Sequence, residues 1–317
     1  MTNESLAGYA NLSLYSAMAV FTIAMVCHAV YLAALLPARD RLRAGAADRE
    51  LVGAGAPVPV EAPARSELSS RAATAAGIAS TTTWLGGFLL LLSVVLRGVA
   101  VHRWPLGNMF EFAVMGSMFT VLAYSIWSTR RDLRWLGLFI TGPVLLVLGM
   151  AVAVWYTEAS ELMPSLRSYW LVIHVTVATL ATAVFTIGAA LSVVYLLKDA
   201  LERSGRASVL DRFPETPAIE RTAYSLHIVA FPLWTFTLIA GAIWARQAWA
   251  SYWNWDPKEV WTFVIWVVYA AYLHSRATSG ISRQTATYIA LAGYACIIVN
   301  FAVVNVFFVG QHSYSGL

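Results

Sequence analysis

Charged residues are scarce in this sequence. Asp, Glu, Lys and Arg make up 12% of the 317 residues, whereas 59% are hydrophobic and the mean hydropathy is +0.65. Soluble domains carry roughly 25% charged residues, because a water-facing surface needs them. The shortage excludes an ordinary soluble domain and predicts an all-α, polytopic integral membrane protein.

Cysteine is also scarce, and the common catalytic motifs are absent. The two cysteines, Cys27 and Cys296, lie in apolar runs with no Cys-x-x-Cys pair, which argues against a disulfide framework or thiol exchange. There is no HExxH, no phosphate-binding glycine loop and no Ser/His/Asp constellation. Hydrolytic and nucleotide-dependent chemistry therefore has no support in the sequence.

Long apolar runs are abundant. Runs of about 20 residues, enough for a helix to cross a hydrocarbon layer of about 30 Å, recur along the chain. The eight predicted spans are 14–36, 80–100, 109–127, 136–155, 170–197, 223–245, 259–275 and 286–309. Residues 1–36 then form the first transmembrane helix with a short external N-terminus, 37–79 a flexible Ala/Pro/Gly-rich cytoplasmic loop, and 80–317 the main membrane domain.

Basic residues are distributed asymmetrically between the predicted loops. With the N-terminus outside, all but five of the 21 lysines and arginines fall on the cytoplasmic side; the five are Arg97, Arg103, Arg167, Arg246 and Lys258. This bias predicts eight spans with both termini outside, in a plasma (inner) membrane. Basic residues follow the first span and none precedes it, so we expect a retained helix and not a signal peptide. The net charge of +4 reflects cytoplasmic loops and does not indicate nucleic-acid binding.

Tryptophan is concentrated in one segment that also carries charges. Residues 249 to 266, WASYWNWDPKEVWTFVIW, contain five of the 13 tryptophans, and Trp244 lies just upstream. Asp-Pro-Lys-Glu at 256–259 has the composition of a helix start, with Asp as N-cap and Glu able to complete a capping box. Clustered tryptophan is usually an interfacial anchoring belt, but the charged residues here argue against that explanation.

Histidine supplies the remaining candidates for chemistry. The six histidines are His28, His102, His174, His227, His274 and His312. The predicted topology places His174 and His312 on the outer side, flanking the tryptophan segment. Two neutral imidazoles are a common axial pair for haem iron, and a flat apolar macrocycle needs an aromatic surface, so this combination predicts a haem site. We expect His102 and His227 to be ordinary hydrogen-bonded interfacial residues.

Several segments together resemble the WWD family of haem-handling proteins, in the CcsA/ResC form of system II cytochrome c biogenesis. In the family's order they are RWPLGNMFEF at 103–112, YWLVIHV at 169–175, the tryptophan segment at about 244–261, YLHSR at 272–276 and GQHSYSGL at 310–317. The resemblance covers nearly the whole chain. It implies that His174 and His312 bind haem b on the outer side, and that His274 binds haem within the membrane.

The resemblance also implies supporting site residues. The implied platform consists of Trp249, Trp253, Trp255, Asp256 and Trp261. Asp256 serves equally well as a helix cap, so a role in the fold alone stays open. Glu111, at the outer start of the third span, is a site candidate for which a packing role is an equal alternative.

The function implied by the resemblance is a relay of haem across the membrane. Haem would then be presented outside for thioether attachment to the Cys-x-x-Cys-His segment of apocytochrome c, a synthase (haem lyase) activity. A ResB/CcsB-type membrane partner is expected to supply the second ligand of the intramembrane haem, with His28 as an alternative. Thiol-reducing proteins of the maturation pathway are further implied partners. A WWD-type haem exporter and a membrane b-type cytochrome without synthase activity are the alternatives.

Overall fold

The computed structural model describes residues 3–35, 70–160, 167–205 and 208–312, and those residues contain no β-strand. The main helices are α1 Glu4–Ala34, α2 Ser70–Ala100, α3 Met109–Ser128, α4 Gly137–Ala153, α5 Tyr169–Arg203, α6 Thr216–Trp249, α7 Pro257–Ala277 and α8 Arg283–Phe307. Two short 3₁₀ turns, Arg134–Leu136 and Val209–Arg212, precede α4 and α6. The all-α prediction is confirmed for this part of the chain.

Seven of these helices are long and apolar enough to cross a membrane. The exception among the described helices is α7, whose 21 residues reach about 31 Å at 1.5 Å per residue. Its aromatic residues, together with His274 and Arg276, lower its mean hydropathy. A polytopic helical membrane protein is therefore confirmed, whereas the count of eight spans stays a prediction.

Several helices extend beyond their predicted apolar spans. The helix expected at 80–100 begins at Ser70, because Ala-rich sequence forms helix well without being apolar enough to signal a span. The helix expected at 223–245 begins at Thr216 and has Pro217 in its first turn, where proline is tolerated. Most of the loop predicted at 37–79, residues 37–69, lies outside the described residues.

Small residues let the first two helices approach closely. Ala10, Ala17 and Ala24 of α1 are fully buried, and an alanine at Gly86 of α2 would place its Cβ 2.5 Å from the ring of Phe21. Close backbone approach through small residues is a common mode of helix packing in membranes. One apolar core joins α1 to α4 with the C-terminal half of α5 and the first turns of α6, and a second joins α5 to α8.

Two histidines lie in these cores, away from the predicted outer site. His28 of α1 is fully buried, with Nε2 3.3 Å from the Thr83 hydroxyl and its ring against Gly137. His227 of α6 is also fully buried, between aromatic rings that include Tyr272, and neither ring nitrogen has a hydrogen-bonding partner among the described residues. The expectation that His227 is a hydrogen-bonded interfacial residue is therefore wrong: it lies too deep in the α6–α7 packing.

Candidate functional site

A cavity of about 580 Å³ lies among α3 to α8. Its size falls within the range typical of small-molecule sites, and its walls are mostly apolar. Its charged and imidazole side chains, His174, His312, Lys258 and Glu259, gather at one end. On α4 the lining residue Leu146 is also 74% exposed, so the cavity opens laterally beside that helix.

His174 lies in the second turn of α5 and lines the cavity. Its Nδ1 is 3.0 Å from the backbone carbonyl oxygen of Thr237 on α6. Because a carbonyl can only accept, Nδ1 carries the proton and the lone pair is on Nε2. Metal-binding histidines are commonly oriented in this way by a carbonyl or carboxylate. The ring also stacks on Trp244, with centroids 6.0 Å apart and an interplanar angle of 15°.

His312 reaches the same tryptophan from the segment after α8. Its ring meets Trp244 edge-on at 5.7 Å and Trp249 at 4.7 Å between centroids. Its Nδ1 lies 2.9 Å from Oδ1 of Asp256. In the neutral imidazole Nδ1 donates to the carboxylate, which again places the lone pair on Nε2. Two imidazoles, 138 residues apart in sequence, thus contact the buried Trp244.

Asp256 serves both the fold and His312. As N-cap of α7, its Oδ1 accepts from the backbone N–H of Lys258 at 3.0 Å, and Glu259 completes the capping box through Oε2, 3.1 Å from the Asp256 N–H. Its Oδ2 accepts from the N–H of Gln311 at 2.6 Å. Burial acts to raise the pKa of Asp256, but the hydrogen bonds from His312 and these N–H groups outweigh burial, and the net pKa is lowered.

The tryptophans of the segment divide by position. Trp253 and Trp244 line the cavity. Trp249 packs on Trp244 at 4.7 Å between centroids and supports it from outside the lining. Trp255 meets Trp253 edge-on but is 76% exposed, with a left-handed φ of 58°. Trp261 is partly buried in α7 and does not contribute to the lining.

His274 lies at the far end of α7 from this site. It is 18 residues beyond Asp256, about 27 Å along a helix. The side chain is exposed and does not line the cavity. The structure therefore does not bring His274 together with His174 and His312.

Glu111 is the centre of a buried ion-pair cluster. Its carboxylate accepts from Nε of Arg97 at 2.9 Å, from Nη1 and Nη2 of Arg103 at 2.9 and 3.0 Å, and from the backbone N–H of Gly107 at 2.7 Å. Both carboxylate oxygens are engaged, and Glu111 does not line the cavity. This geometry favours the packing alternative, in which Glu111 ties the α2–α3 connection together.

Sequence reasoning missed several residues that shape the site. Lys258 lines the cavity and donates from Nζ to the backbone carbonyl of Asn300 at 2.9 Å. Asn300 belongs to a π-helical segment, Val299–Val304, within α8, and such segments are frequent at functional sites. The signal available for Lys258 was its position, a lysine at the outer end of a predicted span. Nothing in the sequence marks the π-helical segment.

Gly241 of α6 leaves space for the ring of His174. We expect that replacing Gly241 displaces this ring. An alanine Cβ there would lie 2.8 Å from Cε1 of His174. Gly149→Ala in α4 is the matched control, because its Cβ would meet nothing within 4 Å. We predict that Gly241→Ala lowers the haem content of the purified protein by up to about half, whereas Gly149→Ala leaves it unchanged. Equal occupancy in both variants would show that the position of His174 does not matter.

The fold and the site together define a class: a multi-pass helical membrane protein with two oriented imidazoles on a tryptophan-lined cavity. A family model described as cytochrome C assembly protein matches residues 104–312. That range includes the cavity, the tryptophan segment and both imidazoles. The chain therefore belongs to the cytochrome c assembly protein family, and the resemblance stated from the sequence is confirmed.

Individual relatives agree with this membership. The cytochrome c biogenesis protein CcsA of Chlamydomonas reinhardtii is 32% identical over 236 residues, covering 73% of this chain and 66% of the relative. CcsA of Prochlorococcus marinus (strain MIT 9303) is 32% identical over 259 residues, covering 73% and 81%. Among solved structures, cytochrome c heme lyase CcmF matches 95% of this chain with a TM-score of 0.61 at 15% identity. The chain spans 47% of that protein, and this likeness shows a shared fold.

Proposed function

We propose that this chain is the haem-handling component of a system II cytochrome c synthase. In this proposal it relays haem across the membrane and presents it outside for attachment to apocytochrome c. The observation that carries the proposal is the pair of imidazoles, His174 and His312, oriented by acceptors and packed against Trp244 at the polar end of an apolar cavity. Membership in the cytochrome c assembly family supports it.

The residues present fit haem b as the substrate. Each imidazole places its Nε2 lone pair opposite a hydrogen-bonded Nδ1, which is the arrangement required for axial ligation of iron. Trp244 and Trp253 supply flat apolar surface. In this account Trp249 and Asp256 hold His312, while Trp255 and Trp261 contribute to the surrounding platform without lining the cavity.

In the proposed reaction, the protein itself takes little part in the covalent chemistry. Each thiol of the apocytochrome adds across a haem vinyl group: a C–S bond forms, the thiol hydrogen moves to the adjacent carbon, and no oxidant is consumed. The chain's own residues hold and orient the substrate and shield it from water. The histidine of the Cys-x-x-Cys-His segment replaces one of the two protein ligands, so the product can leave.

The relay requires an inner site and a partner. We propose that His274 binds haem near the cytoplasmic side, and that a ResB/CcsB-type partner provides the second ligand there. The exposed position of His274 at the end of α7 leaves it accessible to such a partner. His28 is a poor alternative in this arrangement, because Thr83 and Gly137 enclose its ring.

The proposal includes eight spans with both termini and the tryptophan segment outside the plasma (inner) membrane. Cysteine labelling tests it in a background with Cys27 and Cys296 replaced by serine. A cysteine at Ser5 should react with an impermeant reagent in intact cells, and one at Ser204, the C-cap of α5, should react only after permeabilisation. Reaction of the Ser204 cysteine from outside would contradict the topology.

Attachment of haem to a c-type cytochrome tests the function directly. In cells lacking other maturation factors, we expect covalent cytochrome c when this chain is expressed with a ResB/CcsB-type partner, and little or none with either protein alone. Haem-stained gels of the reporter cytochrome measure the yield. Haem exported without covalent attachment, even with the partner, would favour a WWD-type exporter. Full yield from this chain alone would contradict the need for a partner.

A further inference from the structure

Lys258 places an amino group at the edge of an apolar cavity. It is the second residue of α7, and its side chain lines the cavity at the same end as His174 and His312. Of the described residues that line the cavity, it is the sole lysine or arginine. An ammonium group is costly to hold in apolar surroundings unless its hydrogen-bonding capacity is used.

Lys258 does not use its full capacity to donate hydrogen bonds. Its Nζ has three hydrogens to donate, and the structure shows one acceptor, the carbonyl oxygen of Asn300 at 2.9 Å. Among the residues described, no carboxylate lies within ion-pair distance of Nζ. The neighbouring Asp256 is occupied by His312 and two backbone N–H groups. Lys258 therefore has capacity for an anionic group that comes from outside the chain.

Glu259 restricts the positions that such an anion can occupy in the cavity. Its carboxylate also borders the cavity, with Oε2 accepting from the N–H groups of Asn254 and Asp256. Its Oε1 is buried with no hydrogen-bonding partner among the described residues. A second carboxylate placed beside Glu259 would be repelled. An anion in this cavity is therefore favoured on the α8 side, where Lys258 meets Asn300.

We propose that Lys258 binds a propionate carboxylate of the haem and thereby fixes which edge of the macrocycle faces α8. This inference rests on the proposed function, and it goes further by assigning an orientation. The propionates and the vinyl groups lie at different edges of the porphyrin, so anchoring one edge also fixes the vinyl edge on which thioether formation depends. Lys258 acts here as a positioning residue.

Porphyrins with and without free carboxylates separate this role from a structural one. The probes are iron protoporphyrin IX and its dimethyl ester, titrated into the full-length chain in nanodiscs after removal of haem, with affinity followed by the Soret absorbance. We expect the wild-type protein to bind the free acid about tenfold or more tightly than the ester, as a charge-assisted hydrogen bond in a buried site requires. Equal affinity for both porphyrins would overturn the inference whatever any variant does.

Substitutions at Lys258 complete the test. Lys258→Met should remove the preference by weakening the free acid about tenfold while leaving the ester within about twofold, and Lys258→Arg should retain the preference. Equal weakening of both porphyrins by Lys258→Met would instead show that its contact with Asn300 is structural, and would overturn the inference. Failure of the wild-type protein to bind either porphyrin would overturn the proposed function itself. Wild-type binding without discrimination would leave that function standing and remove only the role of Lys258.

Discussion

Replacing His174 or His312 with alanine is expected to abolish covalent cytochrome c formation while the protein stays in the membrane. Each imidazole lines the cavity, and in the proposed function its loss removes one axial ligand of the outer haem. Both residues are only partly buried, unlike His28 and His227, so the bundle should survive the truncation. Haem with one ligand is more open to oxidation and less well oriented. We expect the reporter yield to fall at least about tenfold, the order seen when even indirect support of a metal ligand is lost.

Two controls distinguish ligand loss from general damage. His102→Asn removes a histidine that does not line the cavity, and asparagine tolerates its left-handed φ of 51°. Added imidazole should restore part of the yield to the His174→Ala and His312→Ala proteins by occupying the vacated ligand position. Loss of yield in the His102→Asn protein as well would indicate damage to the outer surface.

His274→Ala is expected to deplete haem from the whole protein. In the proposed relay, haem reaches the outer site only after binding at His274, so its loss removes the supply to both sites. The outer variants should differ, because their inner site still loads. We therefore predict that haem in the purified complex of chain and partner falls about tenfold for His274→Ala and by at most about half for His174→Ala.

The position of His274 makes this prediction informative. The side chain is exposed and about 27 Å along α7 from Asp256, so truncation should not disturb the outer cavity. Normal haem content with normal cytochrome yield in the His274→Ala protein would remove the inner site from the account. Normal thermal unfolding of the apoprotein is the control for folding.

The membrane architecture could be predicted from the sequence because apolar run length is a local property. The first residues of helices were harder to predict. In α2, Ala-rich turns that begin at Ser70 precede the apolar run. In α7 the limitation is hydropathy. The helix is long enough to span a membrane, but its mean hydropathy is too low to identify it as a span.

The main parts of the site were predictable because unusual residue types marked them. Tryptophan clustering and the outer histidines identified a region in which the structure brings His174, His312 and Trp253 to one cavity. Contacts between helices are not indicated by any unusual residue type in the sequence. The engagement of Glu111 by two arginines and the fit of Gly241 against His174 depend on how helices pack, and a single sequence does not encode packing as a local pattern.

The ligand spectrum of the haem-loaded protein, purified with its partner, tests the central claim most directly. Electron paramagnetic resonance of the ferric wild type should show low-spin haem with two imidazole ligands at the outer site. That signal should be lost from both the His174→Ala and the His312→Ala proteins, and imidazole should restore it. If both variants keep the wild-type six-coordinate spectrum together with full cytochrome yield, His174 and His312 are not the haem ligands, and the tryptophan segment is an interfacial belt.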